Sequence, residues 1–217
     1  MCGRSSGPGW ADTRALNVAA ERDVMPQLSG RFVDLRPVAT RDYPWLHQLV
    51  SHPATGYRWR TRPGTTSEEG LAANLWAGTL AQFICEHRRL GVPVGLVSAY
   101  RANIVDGHAY IGVVLDPALR GSGWPLEGLL LFIQYLFGSF RLEKLYAEVL
   151  DFVAPTYAPL VGSLLIEEGR LRSHVVLNGS THDVLLYALY RADWHGVSRR
   201  DLARRAVGVS KGQSSVG

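Results

Sequence analysis

One stretch of this sequence constrains the fold more than any other. Residues 116–133 read DPALRGSGWPLEGLLLFI, so two glycines, Gly121 and Gly123, come just before an almost wholly apolar segment. The apolar side chains cover most of the circumference of a helix over residues 124–138, which predicts a helix packed beneath other structure. Glycines at its start let an anion approach the unpaired N–H groups of the first turn. Pro125 suits that turn, although it has no N–H group of its own.

The same loop excludes two common nucleotide-binding motifs. A dinucleotide fingerprint would need glycine where the sequence has Leu126, and a mononucleotide phosphate loop would need Gly-Lys-Ser or Gly-Lys-Thr, which does not occur in the chain. Two readings of the glycines stay open at this point. They form either a plain turn before a helix or a phosphate cradle with Arg120 as a cation at its mouth.

The charge of the chain is concentrated at its C-terminal end. Residues 31–190 carry 14 basic and 14 acidic side chains, whereas residues 191–217 carry six basic and two acidic ones. We therefore expect a basic tail on a neutral domain and no nucleic-acid partner. The chain has 217 residues, 47% of them hydrophobic, which suits one domain with a sizeable core.

The sequence also predicts where the protein works. No segment approaches the roughly 18 apolar residues of a membrane span, and the N-terminus lacks the apolar core of a signal peptide, so we expect a cytoplasmic protein with no membrane contact. Its two cysteines, Cys2 and Cys85, do not suggest a disulfide framework. The histidines show no metal-ligand spacing, and we expect no metal.

The hydrophobic pattern predicts the element order β-α-α-β-β-β-α-β-α-β-β. Strands are expected at residues 31–38, 81–87, 93–100, 108–116 and 142–150 and in a closing hairpin over 170–179 and 183–194, and helices at 40–52, 65–80, 124–138 and within 155–169. Asp42 is the expected cap of the first helix, and Thr66 with Glu69 forms a capping-box pattern for the second. We expect an N-terminal extension over 1–30, a folded domain over 31–194 and a tail over 195–217.

With this element order, the chain resembles the GNAT superfamily of acyl-CoA N-acyltransferases. Within it, the chain looks most like the branch that includes the ribosomal-protein N-terminal acetyltransferases. The stretches that carry the resemblance are VDLRPVATRDYPWL (33–46), VVLDPALRGSGWPLEGLLLFIQYLF (113–137), KLYAEVL (144–150) and IEEGRLRSHVVLNGSTHDVLLYALYRADW (166–194). Together they cover roughly residues 31–194.

The resemblance implies a mixed α+β fold of the GNAT type. Its sheet is mostly antiparallel, has six to seven strands with helices on both faces, and splays between the fourth and fifth strands. Acetyl-CoA, or another acyl-CoA, is the implied co-substrate, with its pyrophosphate on the N–H groups of residues 121–124 and its pantetheine arm in the splay. The implied CoA-binding residues are Val113, Val114, Leu115, Arg120, Gly121, Ser122, Gly123 and Trp124. The implied acceptor is a primary amine, on a protein N-terminus or a small molecule, and a homodimer is a further expectation.

Glu148 and Tyr157 are the residues expected to carry the chemistry. A carboxylate in the apolar strand LYAEVL would have its pKa raised if it were buried, which would suit a base that takes the amine proton. Tyr157 would protonate the leaving thiolate. Many family members carry a tyrosine at the position where this chain has Leu160. Tyr157, three residues earlier, is expected to take over its role. The chain departs from the family pattern at two further positions, Ala118 in the phosphate loop and Val153 where an asparagine is common.

Three functions follow as alternatives. The first is N-acetyl transfer; the second is a non-catalytic CoA-binding or interaction module, suggested by Val153 and Leu160; the third is transfer of a longer acyl chain, which those apolar residues would also suit. Several other residues have a scaffold reading beside a functional one: His108, His174 and Asp183 near the site, and Trp45, Tyr57 and Trp59, which either line the acceptor side or pack in the core.

Overall fold

The structure is a computed structural model, and it describes residues 28–58, 67–119 and 124–195. Seven strands form one sheet in the order β1-β2-β3-β4-β5-β7-β6. Neighbouring strands are antiparallel except β4 and β5, which are parallel. The strands are β1 (Val33–Arg36), β2 (Thr79–His87), β3 (Val92–Asn103), β4 (His108–Leu115), β5 (Lys144–Leu150), β6 (Ile166–Leu177) and β7 (Ser180–Tyr190). The predicted mixed, mostly antiparallel sheet is confirmed.

Helices cover both faces of this sheet. They are α1 (Tyr43–Ser51), α2 (Glu68–Asn74), α3 (Trp124–Ser139) and the short α4 (Arg191–His195). Alternation along β4 shows which helix covers which face: Val114 packs in one cluster with residues of α1 and α2, whereas Ala109 packs in another with residues of α3. No helix among the described residues is long and apolar enough to cross a membrane.

Both helix caps differ from the sequence prediction. Asp42 makes no side-chain cap on α1, because its carboxylate binds the guanidinium of Arg36 at 2.7 and 2.8 Å and accepts the N–H of Ala39. Burial alone would raise the pKa of Asp42, but these hydrogen bonds hold it below its usual value. α2 is capped by Ser67, whose hydroxyl accepts the N–H of Gly70 at 3.1 Å. Thr66, the predicted cap, lies outside the described residues.

The helix predicted within residues 155–169 is wrong in type and extent. The chain forms a 3₁₀ helix over Ala154–Leu160, and β6 already begins at Ile166. Pro159 favours this difference, because it has no N–H group for an α-helical hydrogen bond, whereas Pro155 lies in the first turn, where that group is not needed. The predicted closing hairpin is confirmed. Asn178 and Gly179 both have positive φ angles, +48° and +78°, as a type I′ turn requires.

Both ends of α3 are tied to the rest of the fold. At its start, the Glu127 carboxylate accepts the N–H groups of Arg31, Phe32 and Val33 at 2.6, 2.8 and 3.0 Å. At its end, the guanidinium of Arg191 donates to the carbonyls of Phe137, Phe140 and Leu142. Arg191, which lies within the predicted domain of residues 31–194, therefore stabilises the C-terminal end of α3.

The middle of α3 lies unusually close to the sheet. A Cβ atom on Gly128 would come within 2.6 Å of the Cys85 sulfur in β2, so only glycine fits there without a shift. Cys85 is fully buried, and this burial raises the pKa of its thiol to about 12. A thiol of that kind is a packing group and not a nucleophile.

We predict that Gly128→Ala destabilises the fold through this contact. Alanine alone would favour the helix by about 1 kcal/mol, but overpacking against Cys85 costs about 1–3 kcal/mol. The free energy of unfolding, measured by urea titration, should fall by the difference, up to about 2 kcal/mol. In a Cys85→Ala background the sulfur is gone, and the loss caused by Gly128→Ala should shrink. Strictly additive losses in the double variant would contradict the proposed contact.

Candidate active site

The sheet opens between β4 and β5. The two strands pair over three residues only, from His108 with Lys144 to Tyr110 with Tyr146. Beyond that point β4 stays paired with β3 as far as Leu115, and β5 stays paired with β7 as far as Leu150. The two strands therefore separate toward their C-terminal ends. This is the splay between the fourth and fifth strands that the resemblance implies.

Main-chain groups of β4 face this opening. The N–H of Asp116 donates to the carbonyl of Val94, which lies directly opposite in β3. Because hydrogen-bonded and non-hydrogen-bonded pairs alternate in an antiparallel ladder, Val114 also bonds to β3, and Val113 and Leu115 direct their N–H and C=O groups the other way. The same alternation turns the N–H of Ile111 toward β5, where the parallel pairing of Tyr110 with Tyr146 engages it. The open groups of β4 therefore begin beyond Ile111.

The predicted phosphate loop lies between β4 and α3. Arg120, Gly121, Ser122 and Gly123 lie outside the described residues. Trp124 is the first residue of α3. On the other side of the loop, the Asp116 carboxylate accepts the N–H of Ala118 at 3.0 Å. The loop therefore connects the open end of β4 directly to the N-terminus of α3, where helix N–H groups and the helix dipole favour an anion.

Glu148 lies in β5 on the face of the sheet that α1 and α2 cover in part. Its neighbour Tyr146 pairs with Tyr110, and both are on this face by the alternation of β5 and β4. The Glu148 carboxylate is 23% exposed and contacts the guanidinium of Arg101 at 2.7 Å. The sequence suggested apolar surroundings for Glu148, but the structure gives it a cationic partner.

Arg101 reaches this face because the backbone of β3 is irregular. The register shifts between Tyr100 and Asn103, and Arg101 has a φ angle of +46°, in the left-handed region that non-glycine residues rarely occupy. In a regular strand, Arg101 and Tyr100 would point to opposite faces. In this bulge, the Arg101 guanidinium instead lies 4.0 Å from the centre of the Tyr110 ring. Sequence reasoning missed Arg101, because only the bulge brings it to the site.

Tyr157 lies on the opposite side of β5. It is partly buried in the 3₁₀ helix and packs against a cluster that includes Val149 and Ala147. These residues alternate with Glu148 along the strand, so Glu148 and Tyr157 flank β5 from its two faces. Val153 packs with the same cluster, and Leu160 is buried.

A second polar cluster lies further along the Glu148 face, toward the start of β5. The carboxylate of Glu168 accepts the hydroxyl groups of Tyr146 and Tyr190 and contacts the Lys144 ammonium at 3.2 Å. Burial would raise the pKa of Glu168, but these donors together hold it below its usual value. Glu168 is therefore engaged within the protein.

Two of the three remaining candidates, His108 and Asp183, have scaffold contacts in the structure. His108 packs edge-on against the Tyr146 ring, with ring centres 5.8 Å apart. The Asp183 carboxylate accepts the N–H of Ser173 at 2.8 Å and lies 3.5 Å from Arg170, so it links β7 to β6. His174 is exposed.

The aromatic residues predicted to line the acceptor side do not all lie in one place. Trp45 packs against the α1–α2 cluster. Tyr57 packs against the cluster of Leu150 and Val184, and its ring lies 5.7 Å from that of Phe152. Tyr57 is thus on the Glu148 face, at the open end of β5. Trp59 lies outside the described residues.

The fold is similar to that of known acetyltransferases. A spermidine N-acetyltransferase from Vibrio cholerae, solved in complex with CoA and spermine, superposes with a TM-score of 0.67 at 20% identity, covering 76% of this chain and 99% of that chain. A spermidine/spermine N-acetyltransferase structure from the same organism, with manganese ions, has a TM-score of 0.62 at 21% identity, covering 76% and 96%. At this identity the two structures show a shared fold.

The family itself is shown by the sequence match. Residues 33–151, more than half of the 217-residue chain, match the family model of the acetyltransferase (GNAT) domain. This segment runs from β1 through the splay to the end of β5. The chain therefore belongs to the GNAT family of acyl-CoA-dependent N-acetyltransferases, as its sequence predicts.

Proposed function

We propose that this enzyme acetylates a primary amine that binds on the Glu148 face of the sheet. One observation carries the proposal: the opening between β4 and β5 has a carboxylate, Glu148, on one side of β5 and a phenol, Tyr157, on the other. A thioester placed in the opening can be attacked from one face while its thiolate departs on the other.

The co-substrate fits the described part of the opening. Pantetheine carries amide groups, and Val113 and Leu115 offer outward-facing main-chain partners for them. Val114 is not part of this proposed contact, because its main chain bonds to β3. We assign the pyrophosphate to residues 120–124, where the loop meets the N-terminus of α3.

The proposed reaction is a direct transfer. The amine nitrogen attacks the thioester carbon, and Glu148 accepts the proton that the nitrogen loses. The C–N bond forms, the C–S bond breaks, and Tyr157 donates its hydroxyl proton to the departing sulfur. An acetyl group is favoured over a longer acyl chain, because Val153 and Leu160 pack against neighbouring side chains.

The acceptor is a protein N-terminus or a small amine. The fold neighbours from Vibrio cholerae are spermidine N-acetyltransferases, which adds polyamines as candidates for this chain. The cytoplasmic location, the homodimer and the resemblance to the branch of ribosomal-protein N-terminal acetyltransferases stay predictions from the sequence.

Calorimetry and a thiol-release assay test the function together. Acetyl-CoA should bind, and free CoA thiol should appear when amines such as spermidine, amino acids and peptides are added. Octanoyl-CoA should react more slowly than acetyl-CoA. Absence of acetyl-CoA binding at about millimolar concentration would contradict the proposal, since typical KM values lie at or below this level.

We predict that Glu148→Gln lowers kcat by about 100-fold or more, because general-base catalysis contributes 100-fold to 10,000-fold. The affinity for acetyl-CoA should stay near the wild-type value. Glu143→Gln is the matched control, since Glu143 is 75% exposed at the start of the same strand. A wild-type rate in Glu148→Gln would exclude the base role.

Tyr157→Phe should slow the thiolate step without unfolding the protein. We predict a fall in kcat of about 10-fold to 100-fold, because the phenol proton is lost while the ring still packs. Tyr187→Phe serves as the control, because Tyr187 packs in the same cluster from β7. If both variants lose activity equally, the effect is one of packing, and Tyr157 is not the acid.

A further inference from the structure

The side chain of Arg101 lies where an acceptor amine has to approach Glu148. Its guanidinium and the Glu148 carboxylate are 2.7 Å apart, beside the opening of the sheet. We infer that Arg101 binds a carboxylate of the acceptor, so that the acceptor is a compact amino acid in which the amine and the carboxylate lie close together. This inference rests on the proposed function, in which Glu148 accepts the amine proton.

The backbone holds Arg101 at this place. Its left-handed φ angle of +46° costs free energy for a residue with a Cβ atom, and such strain is concentrated at functional sites. The N–H of Arg101 donates to the carbonyl of Gly78 at 3.2 Å, which fixes the bulge from the neighbouring strand. The Arg101 guanidinium also lies over the Tyr110 ring, 4.0 Å from the ring centre, in a cation–π contact. The guanidinium is thus positioned before any acceptor arrives.

Arg101 also has donors to offer. A guanidinium carries more N–H donors than one carboxylate can take, and its planar fork matches a carboxylate in two parallel hydrogen bonds. The Arg101 side chain is 53% exposed, so part of this fork is open to solvent. A carboxylate that binds there gains charge-assisted hydrogen bonds.

The distance between Arg101 and Glu148 limits the acceptor. An amine within hydrogen-bond reach of Glu148 has its nitrogen within about 6 Å of the guanidinium. A carboxylate carried about one to three carbon atoms from that nitrogen can therefore reach Arg101. α- and β-amino acids meet this condition, and a peptide N-terminus meets it only when the first residue is acidic.

The charges on this face disfavour an acceptor with a second cation. Among the described side chains next to the tyrosines of this face, Arg101 and Lys144 are cations, and Glu148 and Glu168 are carboxylates. Glu168 already binds Lys144, Tyr146 and Tyr190. A diamine would therefore bring its second ammonium toward Arg101 without gaining a carboxylate partner in this group.

Matched pairs of acceptors test the inference. The rate of CoA thiol release is measured with glycine, β-alanine and larger α-amino acids, each beside its own amide, which keeps the amine but lacks the carboxylate. Wild-type enzyme should have the higher kcat/KM for the acids. Arg101→Gln should lower the ratio of acid to amide by about 10-fold to 100-fold, the value of one or two charge-assisted hydrogen bonds. This ratio cancels any effect of the substitution on Glu148 itself.

Two further variants keep the test decisive. Arg101→Lys retains the charge without the fork and should keep part of the preference, whereas Arg141→Gln, at an exposed position between α3 and β5, should leave the ratio unchanged. An unchanged ratio in Arg101→Gln, or a wild-type enzyme that acetylates amides or diamines but no amino acid, would overturn the inference alone. Acetyl-CoA binding without thiol release for any amine would overturn the proposed function as well.

Discussion

The point where β4 leaves β5 decides what this fold can bind. Main-chain N–H and C=O groups inside a protein need partners, and beyond Tyr110 and Tyr146 the two strands do not partner each other. Neither strand can slide across to close the opening, because β3 holds β4 and β7 holds β5 along their other edges. The opening is therefore a gap in the hydrogen-bond ladder between β4 and β5. A molecule that carries its own amide groups and ends in a phosphate-rich part satisfies both the strand edge and the helix start.

The anchoring of α3 follows from the same requirement. A helix that presents its first turn to an anion is useful only if that turn is fixed relative to β4. Glu127 binds three N–H groups at the start of β1, and Gly128 brings the helix against Cys85 of β2. The contacts that set the helix start thus come from strands on the far side of the sheet, away from the opening.

The sequence predicts those parts of the fold that depend on local patterns. The apolar circumference of α3, the alternation of the strands and the closing hairpin are all properties of short segments, and the structure has each of them. Pro159 is also local, and its missing N–H group disfavours the α-helix predicted there. The position of Arg101 is different in kind. It depends on a bulge, a carbonyl from Gly78 and a ring from Tyr110, which come together only when three strands pair.

This difference explains why the acyl-CoA site of such an enzyme is easier to predict from its sequence than the acceptor site. The proposed acyl-CoA site consists largely of main-chain groups, which any sequence with the right strand order supplies. The proposed acceptor site consists of side chains such as Arg101, Glu148 and Tyr110, whose directions a single bulge can reverse. We therefore expect the bulge of β3 to determine which acceptor this enzyme uses. The bulge places the Arg101 guanidinium beside the attacking nitrogen, where it favours an acceptor that also carries a carboxylate.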